Sequence, residues 1–318
     1  MRQTIKSPIN YTGNKYRLLS QFDKHMPKRT RVFVDLFCGG ATVGFNIEAD
    51  KVILIDNNQR IIDLLKYLAS EDIAKIILAV ENNIEKYKLS YSYKHTYKYY
   101  RDLGIVSGNN GLKKYNLTGY TKLKKDYNAL KQKNTPTANS MLYTLMAYAF
   151  NNDIRFNRNG EFNLPAGKTD FNKNNYNKLI DFNKRAKEIQ YEFICGDFKD
   201  TGIQKIILDA DFIYCDPPYI ITDAFYNEQG GWSINDEKEL LSLLSRANEK
   251  KIKFALSNIL RKEGAENSTL IEWIAKNGYQ VNKIKYHYRS SSYNKKNRNS
   301  NEEEVLITNR ITNATENF

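Results

Sequence analysis

Two apolar segments, the first followed by paired glycines and the second by an acid, constrain the fold of this chain most. The first segment covers residues 31–38 and leads into Gly39-Gly40, and the second covers residues 51–55 and ends at Asp56. Short apolar runs bounded by turn residues are typical of buried strands. We predict a helix directly after the glycine turn and another over residues 59–68. The order strand, helix, strand, helix predicts a doubly wound, parallel α/β sheet.

The first glycine turn of such a sheet is where nucleotide-like cofactors bind, and an acid at the end of the second strand can accept ribose hydroxyls. The glycines here do not follow the G-x-G-x-x-G spacing that seats a pyrophosphate at a helix N-terminus. A turn of this weaker kind favours a cofactor without phosphate, such as S-adenosylmethionine, with Asp56 as the ribose acceptor. A sheet of the same architecture that binds no cofactor is the alternative.

A third apolar run, Phe212 to Cys215, stops at Asp216-Pro217-Pro218-Tyr219. Proline has no N–H and a fixed φ, so the pair ends the strand and holds an extended loop. A carboxylate, unused backbone carbonyls and an aromatic ring then stand at the carboxyl edge of the sheet, where ligands bind. This set suits a flat base with an exocyclic amino group, which donates two hydrogen bonds while the ring stacks on Tyr219. A strand followed by an ordinary proline turn is the competing interpretation.

The net charge of +13 predicts a polyanionic partner, with nucleic acid ahead of an acidic membrane surface. Residues 71–190 contain 21 Lys and Arg against 11 Asp and Glu, and tyrosines alternate with the lysines. We therefore predict a catalytic, cofactor-binding domain formed by residues 1–70 and 190–318. Residues 71–189 are predicted to form an inserted DNA-binding domain. A solvated basic surface without a ligand is the alternative.

Within this insertion, residues 151–165 are predicted to form a hairpin with Asn159-Gly160 at its turn. Arg155 can pair with a guanine edge, and Asn151 or Asn152 can reach a base. Residues 139–150 are predicted to be a buried helix and residues 104–120 a loop. Near the other end, residues 289–298 are polar and basic, which suits phosphate contacts or a disordered segment.

Several classes of protein are disfavoured by what the sequence lacks. It has no apolar stretch of 18 residues, and its first residues lack the apolar core of a signal peptide. The three cysteines are odd in number and follow no zinc spacing, so we expect reduced, buried thiols, a cytoplasmic protein and no metal.

In combination, these motifs resemble the amino-methyltransferases that modify adenine in DNA, in the Dam branch of the alpha group. Tyr11-Thr12-Gly13-Asn14-Lys15 looks like their N-terminal cofactor motif, and residues 33–40 look like their main S-adenosylmethionine motif. Residues 155–168 are similar to their DNA-reading hairpin, and residues 216–219 to their catalytic signature. The resemblance implies an α/β, Rossmann-like methyltransferase fold with an inserted, mainly helical DNA-recognition domain that carries a β-hairpin.

The resemblance also implies the roles of individual residues. S-adenosylmethionine is expected to contact Tyr11, Lys15, Asp35, Phe37, Gly39, Asp56, Asp197, Phe198 and Asp216. Catalysis is expected from Asp216, Pro217, Pro218 and Tyr219. Duplex DNA is expected to contact Asn151, Asp153, Arg155, Asn157, Pro165, Arg289 and Ser291. Asp153 stands where relatives carry an apolar residue that helps to choose an outer base; an acid there can accept from a cytosine amino group.

The expected reaction is site-specific methylation of the N6 amino group of an adenine that has left the base stack. Asp216 and the Pro217 carbonyl would each accept one N–H, and Tyr219 would stack on the base. A cognate restriction endonuclease is a candidate partner. The alternatives are a methyltransferase acting on RNA adenine or on cytosine N4, and a non-catalytic DNA-binding protein of the same fold.

Overall fold

The computed structural model describes residues 4–11, 13–106, 108–221, 231–262, 264–284 and 302–309. Within them the chain forms two compact units, the first from residues 1–14, 39–46 and 58–195 and the second from residues 15–38, 47–57 and 196–318. The domain boundaries predicted at residues 70 and 190 remain predictions. The helices are α1 (Leu19–Phe22), α2 (Gln59–Ser70), α3 (Ile73–Lys86), α4 (Ser92–Asp102), α5 (Lys113–Ala129), α6 (Pro136–Tyr148), α7 (Lys173–Ala186), α8 (Thr201–Ile207), α9 (Ile234–Glu249) and α10 (Ser268–Asn277). The strands are β1 (Thr30–Leu36), β2 (Ala49–Asp56), β3 (Tyr191–Cys195), β4 (Phe212–Cys215), β5 (Lys253–Lys262), β6 (Ala265–Glu266), β7 (Gln280–Lys283) and β8 (Glu302–Thr308).

The second unit is built on a mostly parallel sheet with the strand order β2-β1-β4-β5-β8-β7, and β6 pairs with β5. Strands β2, β1, β4 and β5 are parallel, whereas β8 runs antiparallel to β5 and β7. All four residues of β4 are buried, and so are the last five of β2. Strands buried on both faces are typical of parallel sheets covered by helices. The predicted α/β fold with a mainly parallel sheet is therefore confirmed.

Helix α9 packs on β5 and α10, and its leucines at 240, 241, 243 and 244 are all buried. It begins at a capping box, in which Ser233 Oγ accepts from the Asp236 N–H and the Asp236 side chain accepts from the Ser233 N–H. Strands β7 and β8 form an antiparallel pair at one edge of this sheet.

The first unit is mainly helical and is organised around α6. Eleven consecutive residues of this helix, Ala138 to Tyr148, are buried, and α2, α3 and α5 pack against it. It begins at Thr135, whose side chain accepts from the Ala138 N–H, and Pro136 occupies its first position. The buried helix predicted over residues 139–150 is confirmed as far as Tyr148, where α6 ends, whereas Phe150 is exposed and lies in a separate 3-10 turn.

The helix predicted directly after Gly39-Gly40 is wrong, because only a three-residue 3-10 turn, Gly44–Asn46, forms there. Ala41 has φ +59°, a left-handed conformation that no α-helix continues. The Phe45 carbonyl, which a helix would use internally, instead accepts from Arg185 Nε at 2.9 Å. A hydrogen bond from a residue 140 positions away thus takes the place of the helical hydrogen bond to the Phe45 carbonyl.

The loop predicted over residues 104–120 is only partly correct, because α5 already begins at Lys113. Leu112, Asn116, Tyr120, Leu123 and Tyr127 are all buried, and their spacing of three and four residues places them on one helix face. That face includes a polar residue and two tyrosines, so hydrophobicity alone did not reveal it. The glycine and asparagine residues before position 112 did predict the loop correctly.

The predicted hairpin is present in reduced form, as the isolated antiparallel bridges Phe156–Phe162 and Ala149–Ala166. Asn157 and Gly160 close its turn through a 2.9 Å backbone hydrogen bond, and Gly160 has φ +73°. On the outer side of the Phe156–Phe162 bridge, the Asn128 side chain pairs with both the N–H and the carbonyl of Phe162.

No helix in the described residues is both long and apolar enough to cross a membrane. The three cysteines, all of which are described, form no disulfide; Cys38 and Cys215 are buried as predicted, whereas Cys195 is only half-buried.

Candidate active site

Five polar side chains of the second unit lie close together. Four of them lie in or directly after the strands β4, β5 and β8, and the fifth lies shortly before α1. Asp216 and Tyr219 follow β4, Ser257 lies in β5, Glu304 lies in β8, and Lys15 precedes the turn Tyr16–Leu18. Lys15 Nζ lies 2.8 Å from Tyr219 Oη, 3.0 Å from Asp216 Oδ1 and 3.5 Å from Glu304 Oε1. The Lys15 and Glu304 side chains are only 4% and 5% exposed, so these charges interact away from bulk water.

The Tyr219 hydroxyl is saturated by three partners. It donates to Asp216 Oδ1 at 2.8 Å, accepts from Lys15 Nζ, and lies 3.0 Å from Ser257 Oγ. A tyrosine hydroxyl has a single proton. Since that proton is used on Asp216, the Ser257 hydroxyl must be the donor in the third bond. The hydroxyl therefore anchors the side chain, and the half-buried ring is the part of Tyr219 that can meet a ligand.

The site keeps Lys15 protonated. Burial by itself lowers the pKa of this ammonium, but Asp216, Tyr219, Tyr214 and Glu304 together raise the pKa well above its ordinary value. Burial and the neighbouring Asp216 carboxylate raise the pKa of Tyr219 well above its ordinary value, so the hydroxyl stays neutral. The cluster thus presents one fixed cation beside two carboxylates.

One oxygen of Asp216 is engaged and the other is available. Both Lys15 and Tyr219 contact Oδ1, and the backbone N–H of Asp216 reaches the Leu36 carbonyl at 3.4 Å. Within the described part of the chain, neither Asp216 Oδ2 nor the Pro217 carbonyl accepts a hydrogen bond. Two acceptors, a carboxylate oxygen and a backbone oxygen, therefore stand at the carboxyl end of β4.

The glycine turn of the first unit is shaped by close packing. A Cβ added to Gly39 would lie 2.7 Å from Cδ1 of Tyr11, and Gly39 has φ +47°. A Cβ on Gly40 would lie 2.9 Å from Ser7 Oγ. The two glycines are thus required so that the N-terminal segment can lie against the turn. The predicted cofactor residues Tyr11 and Gly39 are brought together, as the motif requires.

In the second unit, β1 has an acid as its penultimate residue and β2 has an acid as its last residue. Asp35 in β1 is 2% exposed and Asp56 at the end of β2 is 8% exposed. Phe37, which follows β1 with φ +64°, packs against Phe198 and Trp232, with ring centroids 5.5 Å from each. We refer to Phe37, Phe198 and Trp232 as the aromatic trio.

The remaining predicted cofactor residue, Asp197, is used in a local turn. Its Oδ1 accepts from the Lys199 N–H at 3.0 Å, and its own N–H donates to Asp200 Oδ2 at 3.1 Å. Its neighbour Phe198 is buried in the aromatic trio rather than exposed. Asp197 thus stabilises a turn of the kind that Asp side chains commonly form.

The hairpin segment of the first unit alternates between buried and accessible side chains. Ile154, Phe156, Phe162 and Leu164 are buried, whereas Asp153, Arg155 and Asn157 are half-buried and Asn151 and Pro165 are exposed. Asp153, Arg155 and Asn157 therefore lie on the accessible side of the hairpin segment. Arg155 Nε donates to Asn163 Oδ1 at 2.9 Å, and Asp153 Oδ1 accepts the Ile154 N–H at 2.8 Å. The two further candidates, Arg289 and Ser291, lie outside the described residues.

Several residues of the site were missed by sequence reasoning. Ser257 and Glu304 contact Tyr219 and Lys15, and Trp232 completes the aromatic trio while its indole Nε1 donates to the buried carboxylate of Glu237 at 2.8 Å. The available signals were Ser257-Asn258, which interrupt an apolar run, and an acid beside Val305-Leu306-Ile307. Among the described residues, no group of three His, Cys, Asp or Glu side chains could hold a metal ion.

Comparison with known proteins gives consistent relatives. A family model described as D12 class N6 adenine-specific DNA methyltransferase matches residues 11–303. The chain is 35% identical over 317 residues to the type II methyltransferase M.FokI of Planomicrobium okeanokoites, covering 98% of this chain and 44% of that protein. It is 33% identical to the modification methylase StsI of Streptococcus sanguinis, covering 97% of this chain and 43% of that protein.

A third relative is similar over most of its own length. The chain is 25% identical over 256 residues to the DNA adenine methylase of Vibrio cholerae, covering 79% of this chain and 80% of that protein. By contrast, the chain spans less than half the length of M.FokI and StsI.

Proposed function

We propose that this chain, which belongs to the D12 class of N6 adenine-specific DNA methyltransferases, methylates the N6 amino group of adenine at a specific site in duplex DNA. The observation that carries the proposal is the arrangement at the end of β4. Asp216 is fixed through Oδ1 by Lys15 and Tyr219, and no described residue donates to its Oδ2 or to the Pro217 carbonyl. An exocyclic amino group has two N–H donors, which match these two acceptors.

The residues present fit S-adenosylmethionine as the methyl donor. In the second unit, the Asp56 carboxylate at the end of β2 is suited to ribose hydroxyls, and Asp35 and Phe37 are the other candidates there. In the first unit, Tyr11 and Gly39 form a close-packed turn that a Cβ would fill. When bound, this cofactor supplies an electrophilic methyl group on a positively charged sulfur.

The chain's own residues would act mainly by positioning and charge. Asp216 Oδ2 and the Pro217 carbonyl would each accept one N–H of the flipped adenine, which pulls the nitrogen toward tetrahedral geometry and frees its lone pair. The Tyr219 ring would stack on the base, held by its hydroxyl, and Pro218 keeps the loop extended. Holding the amino nitrogen in line with its electrophile supplies a large part of the rate enhancement.

Site selection would come from the hairpin of the first unit. Arg155 uses Nε on Asn163, which leaves four N–H donors of the guanidinium for a guanine edge. Asn151, Asn157 and Pro165 would contact the duplex beside it, and Asp153 would accept from a cytosine amino group. The excess of lysine and arginine in residues 71–190 would bind phosphates, with Arg289 and Ser291 as further candidates.

The names of two relatives, a type II methyltransferase and a modification methylase, support a restriction-modification role with a cognate endonuclease as partner. We place the reaction on DNA in the cytoplasm of a bacterial or phage-infected cell.

The test is methyl transfer from isotopically labelled S-adenosylmethionine to unmethylated mixed-sequence duplex DNA, followed by digestion and separation of the nucleosides. Label in N6-methyladenosine is expected, and Asp216→Ala should abolish the label while DNA binding is kept. Label in RNA or in N4-methylcytosine would favour the corresponding alternative. A chain that binds DNA but neither the cofactor nor its demethylated product would be a non-catalytic binding protein.

A further inference from the structure

Trp232 has no role in the mechanism above, although it contacts two rings that lie beside the end of β2. Its ring centroid is 5.5 Å from that of Phe37 and 5.6 Å from that of Phe198. The residue after Phe37 donates its N–H to the Ile55 carbonyl at 2.9 Å. The residue two positions before Phe198 donates its N–H to the Asp56 carbonyl at 3.1 Å. Both rings are therefore carried by segments that are hydrogen-bonded to the end of this strand.

An acid beside accessible aromatic rings suits a nucleoside. The Asp56 carboxylate can accept ribose hydroxyls, and a base has two flat faces on which aromatic side chains stack. Phe198 is 4% exposed and forms the interior of the aromatic trio, whereas Phe37 and Trp232 are half-buried and keep accessible ring surface. Phe37 also has φ +64°, a conformation that bulky residues rarely adopt and that is concentrated at functional sites. A trio that only filled the core would need neither the accessible surface nor this strain.

The orientation of the Trp232 ring is set by a buried acid. Its indole Nε1 donates to Glu237 Oε2 at 2.8 Å, and Glu237 is completely buried. The other oxygen, Oε1, accepts from Asn267 Nδ2 at 2.9 Å and from Asn258 Nδ2 at 3.3 Å. Burying a carboxyl group is costly unless its oxygens are hydrogen-bonded. The presence of such a group under the indole, with all three donors supplied, indicates that the orientation of this ring matters.

The segment that carries Phe198 is also joined to the helix that follows Trp232. Lys199, adjacent to Phe198, pairs with Asp236 in the first turn of α9. Ser233, the residue after Trp232, forms the capping box of this helix with the same Asp236. The two rings are thus held in place before any ligand binds, and preorganisation of this kind lowers the ordering cost of binding.

We propose that Trp232 is a binding residue for the adenine ring of the methyl donor, and that Glu237 is a positioning residue that holds the indole in the orientation this contact needs. The inference rests on the proposed function and names the side chains that recognise the base of its cofactor. Removal of one aromatic ring that stacks on a base weakens binding by about 5-fold to 150-fold. We expect a loss in this range when Trp232→Ala binds the demethylated product, S-adenosylhomocysteine, in calorimetry.

The fluorescence of the chain tests the position of Trp232 directly. The chain contains two tryptophans, so Trp273→Phe leaves Trp232 as the reporter. S-adenosylhomocysteine and adenosine should each change its emission in a saturable way, and homocysteine should not. Trp232→Phe, in which Trp273 is the reporter, should show no such change. Calorimetric binding of S-adenosylhomocysteine without a change in the emission of Trp232 would overturn the inference.

Glu237→Gln tests the positioning role while the ring is kept. Because two asparagines donate to Oε1 and the indole donates to Oε2, the single amide oxygen of glutamine should stay with the asparagines, and its NH2 group should face the indole N–H. Loss of this one hydrogen bond should weaken S-adenosylhomocysteine by about 2-fold to 12-fold. The KM for S-adenosylmethionine should rise by a similar factor, and kcat should be unchanged.

A double-mutant cycle separates this role from a general loss of structure. In Trp232→Phe, which has no indole N–H, Glu237→Gln should have no further effect on the dissociation constant. An equal effect of Glu237→Gln with and without the indole would show that Glu237 does not act through Trp232, and would overturn its assignment.

The other tryptophan provides a matched control. Trp273 Nε1 donates to Ser245 Oγ at 2.9 Å, and its ring packs on Phe254 and Tyr279 instead of the trio. Ser245→Ala, which removes this indole acceptor, should leave the dissociation constant unchanged. Emission of Trp232 that responds to duplex DNA but not to S-adenosylhomocysteine would mean that the ring meets a base of DNA, which contradicts the inference. If the unaltered chain binds no S-adenosylhomocysteine, the proposed function fails together with the role of Trp232.

Discussion

Replacing Tyr219 by phenylalanine separates two tasks of this residue. The change removes the hydroxyl, which makes hydrogen bonds with Lys15, Asp216 and Ser257, and it leaves the aromatic ring in place. If the ring stacks on the base and the hydroxyl only orients Asp216, then binding of DNA and the chemical step should respond differently.

The expected loss follows from the bonds that disappear. A hydrogen bond to a charged group contributes about 1.5–3 kcal/mol, and here both Asp216 and Lys15 lose such a bond. If only the loss of the hydrogen bond to Asp216 raises the activation free energy of methyl transfer, kcat falls by about 10-fold to 150-fold, since about 1.4 kcal/mol corresponds to a factor of ten. The Michaelis constant for DNA should change by less than about threefold, because the ring surface that meets the base is kept.

The assay is steady-state methylation with a fixed duplex, alongside base extrusion monitored with 2-aminopurine at the target position. Ser257→Ala, which removes one of the three bonds and leaves the Tyr219–Asp216 contact, should reduce kcat by less than Tyr219→Phe does. Tyr219→Ala should additionally impair base extrusion. A Tyr219→Phe enzyme with an unchanged kcat, or with impaired DNA binding at normal kcat, would refute the assignment of hydroxyl and ring to these separate tasks.

Three other changes test different parts of the chain. Gly39→Ala places a Cβ 2.7 Å from the Tyr11 ring at φ +47°, so the free energy of unfolding should fall by about 1–3 kcal/mol and calorimetry should show weaker cofactor binding. Asn163→Ala removes the acceptor that orients Arg155 Nε. Competition binding should therefore show a reduced preference for DNA that contains the target sequence over random DNA, and the salt dependence of binding should change little. Burial raises the pKa of Asp170, so the folded chain binds this proton more tightly than the unfolded chain does. The free energy of unfolding should therefore fall as pH rises from about 4 toward the raised pKa, and Asp170→Asn should flatten this dependence in urea titrations.

The sequence predicted those features that depend on local pattern. β1, β2 and β4 are apolar runs closed by turn residues, and the structure has strands there. The residues after Gly40 were misjudged because Arg185, far along the chain, takes the Phe45 carbonyl. A pattern of apolar residues carries no information about such a contact. It likewise does not reveal the buried face of α5, because that face contains the polar residue Asn116.

The residues of the candidate site also divide into those that a local pattern reveals and those that depend on contacts between distant parts of the chain. Asp216 and Tyr219 stand in a short motif and were found directly, whereas Ser257 reaches Tyr219 from 38 residues away and Glu304 reaches Lys15 from the other end of the chain. Each of the latter two is an unremarkable polar residue next to a strand core. Only the pairing of β5 with β8, which places Ile259 opposite Glu304, brings their side chains to the same region of the sheet.

Strand β5 connects Tyr219 with the aromatic trio. Ser257 Oγ lies 3.0 Å from the Tyr219 hydroxyl, and the next residue, Asn258, donates from Nδ2 to Glu237 at 3.3 Å. Glu237 also accepts from the indole of Trp232 at 2.8 Å. Successive side chains of a strand point to opposite faces. Ser257, on one face of the strand, thus supports Tyr219, the residue expected to stack on the base. Asn258, on the other face, supports Trp232 of the aromatic trio through Glu237. This double role explains why two polar residues occupy a strand whose neighbouring positions are apolar and buried, and it implies that a displacement of β5 would disturb both supports at once.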